Sequence, residues 1–116
     1  MGETPASRRR TLVSAVVEAR SADGAVSFLA GDDAVVYEDR TLRLEVGGDE
    51  RRRLEALLEE YHVFKIEEPA TRKAEEGVVH LSAVTDPKHA ADFVESVFRK
   101  VYGADEGYEL RVERRS

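Results

Sequence analysis

The stretch Gly77–Val112, GVVHLSAVTDPKHAADFVESVFRKVYGADEGYELRV, constrains this chain more than any other, because it reads as strand, helix and strand with a signal at each join. Asp86 can accept from the free N–H groups of a first helical turn, and Pro87 follows where a missing N–H costs nothing. Apolar residues then fall at Ala90, Phe93, Val94, Val97, Phe98, Val101 and Tyr102, the spacing of one helical face. Arg99 and Lys100 suit the negative end of that helix, and Gly103 is the residue type that stops one. The stretch defines a core element and carries no chemistry of its own.

The remaining elements follow from the same signals. Residues 1–7 are polar, hold Pro5 and have nothing apolar to anchor them, which predicts a disordered tail. From Arg8 to Ser21, Leu12, Val13, Val16 and Val17 share a helical face, while the valines and the Asp23-Gly24 turn are compatible with a strand; the spacing favours helix. Ala25 to Val46 alternates like strands, broken at Gly31-Asp32-Asp33 and at Glu38-Asp39-Arg40, with Leu42, Leu44 and Val46 facing inward. Asp49 is placed to cap a second helix, Glu50 to about Tyr61, with Leu54, Leu57, Leu58 and Tyr61 on its apolar face. His62–Glu67 reads as a short strand burying Phe64 and Ile66, Pro69–Gly77 as a mobile polar connection, and the final strand as burying Tyr108, Leu110 and Val112. Residues 8–113 form a single domain, followed by a charged tail over 114–116.

The order is therefore (α)βββαββαβ, which means an α+β domain with an antiparallel sheet and helices packed on one face. From Thr41 onward the order βαββαβ resembles the ferredoxin-like split unit. That fold flanks its first strand on both sides, and the hairpin from Val35 to Val46 competes for one of those places. The order helix-βββ-helix-ββ-helix over residues 8–102 also resembles the small dimeric chaperone-like folds of type III secretion and the YbjN-like proteins, from which the terminal strand departs.

Charge and composition narrow the function classes. The 116 residues contain no cysteine, which removes disulfides, thiol nucleophiles and thiolate metal sites. No apolar run reaches membrane-spanning length and residues 1–10 lack the apolar core of a signal peptide, so a cytoplasmic location is expected. Twenty-four acidic residues against eighteen basic ones give a formal net charge of −6. Arginine is abundant and lysine scarce, a balance that resembles proteins of salt-loving archaea and is also produced by a GC-rich genome. Such a surface repels itself unless salt screens it.

Chemistry-bearing residues are few. His62, His80 and His89 lack the spacing of metal ligands, and His89 with Asp92, at i and i+3, is the best available polar pair. The adjacent acid pairs diverge on any helix or strand and read as solvated surface. Arg51, Arg52 and Arg53 at a helix start form a candidate anion site, accompanied by Arg8–Arg10 and Arg114-Arg115. The acidic balance and the lack of exposed aromatics on the expected outer sheet face argue against nucleic acid. There is no glycine-rich phosphate loop and no nucleophile elbow around Ser82, and no cofactor is expected.

The expectation is a non-catalytic domain that acts by protein association, as a homodimer. Strand 77–85 is apolar on both faces, with Val78 and Val84 on one and Val79, Leu81 and Ala83 on the other, so something should cover the second face. Two other classes compete. One is a small-ligand regulatory domain resembling the ACT type, whose effectors sit between ferredoxin-like units. The other is an enzyme with a small pocket around His80.

Overall fold

The computed structural model describes residues 3–67 and 77–115; the expected connection over 69–76 lies outside them. Helix α1 runs Pro5–Ala22, then strands β1 Ala25–Ala30, β2 Asp33–Glu38 and β3 Thr41–Glu45. Helix α2 spans Gly48–Glu60, followed by β4 Lys65–Glu67, β5 Val78–Ser82, α3 Pro87–Ser96 and β6 Arg111–Arg115. The protein is thus α+β, with an open antiparallel sheet in the order β4-β5-β3-β2-β1-β6 and helices packed upon it.

Three local expectations are corrected. The helix of the N-terminal region starts at Pro5, inside the segment read as a disordered tail. Thr4 caps it by accepting from the Ser7 N–H at 3.1 Å, and Pro5 takes the first helical position. Thr4-Pro5 is the same cap-then-proline signal as Asp86-Pro87, where the Asp86 carboxylate accepts the His89 N–H at 2.9 Å. Helix α2 is capped from Gly47, not Asp49: Gly47 has no side-chain acceptor, so Glu50 reaches back to accept its N–H at 2.8 Å. The long helix is not α-helical throughout. It closes with a π-helical turn over Val97–Val101, in which the Tyr102 N–H bonds Val97 O at 3.0 Å.

Sheet topology departs from the ferredoxin-like alternative. β3, β4 and β5 do form a split unit, with β5 inserted antiparallel between β3 and β4. In a ferredoxin-like core the last strand would then pair with β3. Here the β1–β2 hairpin occupies that side through the β2–β3 pairing, and β6 is displaced outward to pair with β1. The hairpin wins because two-residue turns join β1 to β2 and β2 to β3, a local closure made before any long-range strand can compete.

One face of the sheet carries the core. Val26, Phe28, Val35, Tyr37, Leu42, Leu44, Val79 and Leu81 alternate inward and are buried against Leu12, Ala15 and Val16 of α1, Leu54 and Leu57 of α2, and the α3 stripe from Ala90 to Val101. The terminal strand starts later than its pattern predicts: Leu110 is buried and Tyr108 half-covered in the segment before β6, and Val112 within β6 is half-covered because β6 is an edge.

The helical layer is locked by a residue the pattern placed at the edge of the domain. Arg8 is fully buried, and its guanidinium lies 4.0 Å from the centroid of the Tyr108 ring. It donates to both Glu95 carboxylate oxygens, with the shortest contact at 2.8 Å, and to the carbonyls of Glu3, Glu106 and Tyr108. Tyr108 Oη in turn donates to Glu95 Oε1 at 2.6 Å. Burial alone would push the Glu95 carboxyl up, but hydrogen bonds from Arg8 and Tyr108 and the Arg8 charge outweigh it and hold it below the usual 4.5. Burial, then the bond to Glu95, pushes the Tyr108 phenol above its usual 10.0.

The pH dependence follows from those signs. A depressed carboxyl contributes stability that is complete above its unfolded value and lost as pH falls through the folded one. Acid titration of unfolding free energy should therefore fall below about pH 4.5, and Glu95→Gln should flatten that fall. A Glu95→Gln variant with an unchanged acid limb would overturn this account.

Candidate functional site

The face of the sheet opposite the helices is where the outward alternation of all six strands converges. The strand registers place Glu67, His80, Arg43, Val36, Ser27 and Glu113 in one row across β4, β5, β3, β2, β1 and β6. His80 thus stands between a carboxylate and a guanidinium. It is half-buried, and its Nδ1 finds no hydrogen-bond partner among the described residues. The apolar second face expected of residues 77–85 is only partly realised. Val78 is buried, His80 and Ser82 interrupt the run, and Val84 lies beyond the strand end at 60% exposure.

The other candidate residues separate. His89 does not pair with Asp92; its ring stacks on Phe64 at 5.5 Å and tilts against Tyr61, completing an aromatic cluster with Phe93. Asp92 accepts instead from Arg9 Nε at 2.7 Å, which ties α3 to α1. The arginine triplet on α2 does not form an anion site. Arg51 pairs with Glu55 at 3.4 Å, Arg52 with Asp49, and Arg53 donates to the Val101 carbonyl at 2.9 Å. Consecutive helical residues point about 100° apart, so each finds a different neighbour. Arg8 is buried, Arg9 is paired, and Arg114 joins Glu18 across the β6 side. Among the described residues no group of three or more His, Cys, Asp or Glu is arranged to hold a metal ion, and no helix is long and apolar enough to cross a membrane.

The feature that sequence reasoning missed is the β4 edge. Phe64 is buried as its alternation predicts, and its ring stacks on Phe93 with centroids 4.0 Å apart. The same alternation predicts a buried Ile66, which is instead 39% exposed because β4 is the last strand and has only β5 as a neighbour. Among the described residues four large apolar side chains are exposed, namely Val17, Val63, Ile66 and Val84. Of these, Ile66 lies on β4 itself, where it pairs with Leu81, while Val63 and Val84 lie just outside β4 and β5. The exposed strand itself reads Lys65-Ile66-Glu67, a charge pattern that reverses into its own complement.

Comparison with known proteins gives a family without an activity. The chain belongs to the family of unknown function DUF7975, whose model matches residues 2–115. No curated protein and no solved structure matches it.

Proposed function

We propose that this protein is a non-catalytic association domain that forms a homodimer through its β4 edge. The observation that supports it is the exposed Ile66 at the centre of the self-complementary Lys65-Ile66-Glu67 edge strand. A second copy added antiparallel about Ile66 would set Lys65 against Glu67 twice and Ile66 against Ile66, while supplying partners for the strand's outer backbone groups. The opposite edge lacks this property. The same operation on β6 would place Arg111 opposite Arg115 and Glu113 opposite itself, all like charges.

The test is solution mass by light scattering, at low salt and at multimolar KCl, with far-UV circular dichroism alongside. The wild-type protein should be dimeric, more strongly so in salt, where the self-repulsion of a −6 chain is screened. Lys65→Glu should weaken dimerisation by about tenfold or more, because like charges then oppose each other. Lys65→Glu with Glu67→Lys should restore it, because Glu-Ile-Lys is again its own complement. A folded monomer under both salt conditions would overturn the association reading. A dimer indifferent to both variants would move the interface off this edge.

A further inference from the structure

We infer that the face of the sheet opposite the helices is a second self-association surface, on which another copy of this chain packs face to face across β3, β2, β1 and β6. The inference does not depend on the β4 edge and goes beyond it: with both contacts available, edge dimers assemble further.

The face carries apolar surface that the chain's own core does not use. Leu29, Ala34 and Val36 alternate outward between the core residues of β1 and β2, and all three are only half-buried. None of them joins the core cluster on the helical side. Leu29 pairs with Ala34 and Val36 with Ser27, so the four form one patch over the middle of the sheet.

Charges flank that patch on both sides, in opposite order. On the β3 side stand Arg43, level with Val36, and Glu45, one pleat further along and level with Ala34. On the β6 side stand Glu113, level with Ser27, and Arg111, level with Leu29. All four are exposed, and among the described residues none has an ion-pair partner. The helical arginines differ, since Arg9, Arg51 and Arg52 each pair with a carboxylate. Strands β3 and β6 lie three strand spacings apart, about 14 Å, so Arg43 cannot reach Glu113 within its own chain.

A two-fold axis running along the strands, between β1 and β2, makes this pattern its own complement. It sets Arg43 over the partner's Glu113 and Glu45 over the partner's Arg111. Across the middle it sets Leu29 over the partner's Ala34 and Val36 over the partner's Ser27. Each of those contacts matches a larger side chain with a smaller one, which suits two sheets packed about 10 Å apart. An axis running across the strands through Val36 fails, because it stacks Arg43 on Arg43 and Glu113 on Glu113. In the accepted arrangement β5 and β4 extend past the partner's β6, which leaves the β4 edge open. A small patch rimmed by charge makes a weak contact, populated at high protein concentration.

Sedimentation velocity provides the test, with Lys65→Glu as the parent, since Lys65 lies outside the face contact and its substitution removes the β4 contact. From about 10 μM to about 1 mM, the range of weak complexes, the parent should pass from monomer to dimer. Arg43→Glu and Glu113→Arg, each added to the parent, should weaken that dimer by about tenfold or more, because each opposes like charges twice. Glu113→Arg is the sharper case: it lowers the net negative charge, so general repulsion predicts the reverse. An equimolar mixture of the two variants should regain the parent's association, since every flanking contact between them is again between opposite charges. Far-UV circular dichroism should show all of them folded alike. If Lys65→Glu leaves the edge dimer intact, the edge reading fails alone, and the face is still judged by the changes at Arg43 and Glu113. A parent that gains no mass up to about 1 mM would leave the face to another partner and overturn the inference. So would variants that associate like the parent, or single defects that the mixture does not repair.

Discussion

Arg8→Met should unfold this protein at a free energy about 3–5 kcal/mol lower than wild type, the cost of removing one partner of a buried ion pair. The substitution keeps the aliphatic stem of the side chain, so the loss reports on the guanidinium and the buried space it fills. Without it Glu95, only 19% exposed, keeps a charge with Tyr108 as its remaining donor, and the carbonyls of Glu3, Glu106 and Tyr108 lose the donor that gathers them. In thermal denaturation the effect should be a fall of roughly 10–20 °C. Arg8→Lys should recover only part of it, because an ammonium has three donors and no fork to reach two carboxylate oxygens and three carbonyls together. Arg10→Ala, in the same triplet but on the exposed side of α1, should change stability by no more than about 0.5 kcal/mol. Adding Glu95→Gln to Arg8→Met should cost less than it does in wild type, since the stranded charge is then gone. Denaturation of the five variants by urea checks all of this, and an Arg8→Met protein within about 1 kcal/mol of wild type would remove Arg8 from its role as the lock.

Phe93→Ala should be comparably damaging, at about 3–5 kcal/mol, because the ring is fully buried and the surrounding elements can only partly collapse on the space it leaves. Its consequences should be spatially directed. Phe93 stacks on Phe64 with an interplanar angle of 13° and meets the Tyr61 ring edge-on at 5.3 Å, so it holds both ends of the link between α2 and β4. A three-residue edge strand with a single neighbour has little else to fix it. Amide exchange at Lys65–Glu67 should therefore accelerate more than exchange in β1–β3, and dimerisation should weaken with it. Phe93→Leu should cost less and spare β4, as it keeps most of the buried volume. Equal acceleration of exchange throughout the sheet would show that Phe93 supports the whole core and not this edge in particular.

How much of this was legible in the sequence depended on the range of the interaction involved. Periodicity found every helix and strand, because amphipathic spacing records which face meets the core without recording what it meets. The helix start at Pro5 was equally local and could have been read, since Thr4-Pro5 repeats the Asp86-Pro87 signal; the absence of apolar residues before Leu12 obscured it. The candidate residues fared differently. His89 with Asp92 and the triplet Arg51–Arg53 were grouped because they are close in sequence, and helical geometry sends their side chains to different neighbours: an aromatic cluster, an arginine on α1, two carboxylates and a carbonyl.

The sequence by itself determined the α+β class, the order of the elements, their inward faces and most of their ends, because capping, turn geometry and hydrophobic alternation act within a few residues. Only the tertiary structure decided that β6 pairs with β1, that Arg8 is a core residue and that Ile66 stands exposed on an edge. Each of those depends on contacts between elements far apart in the chain. A guanidinium or an isoleucine carries the same letter whether its neighbours pair it, cover it or leave it exposed.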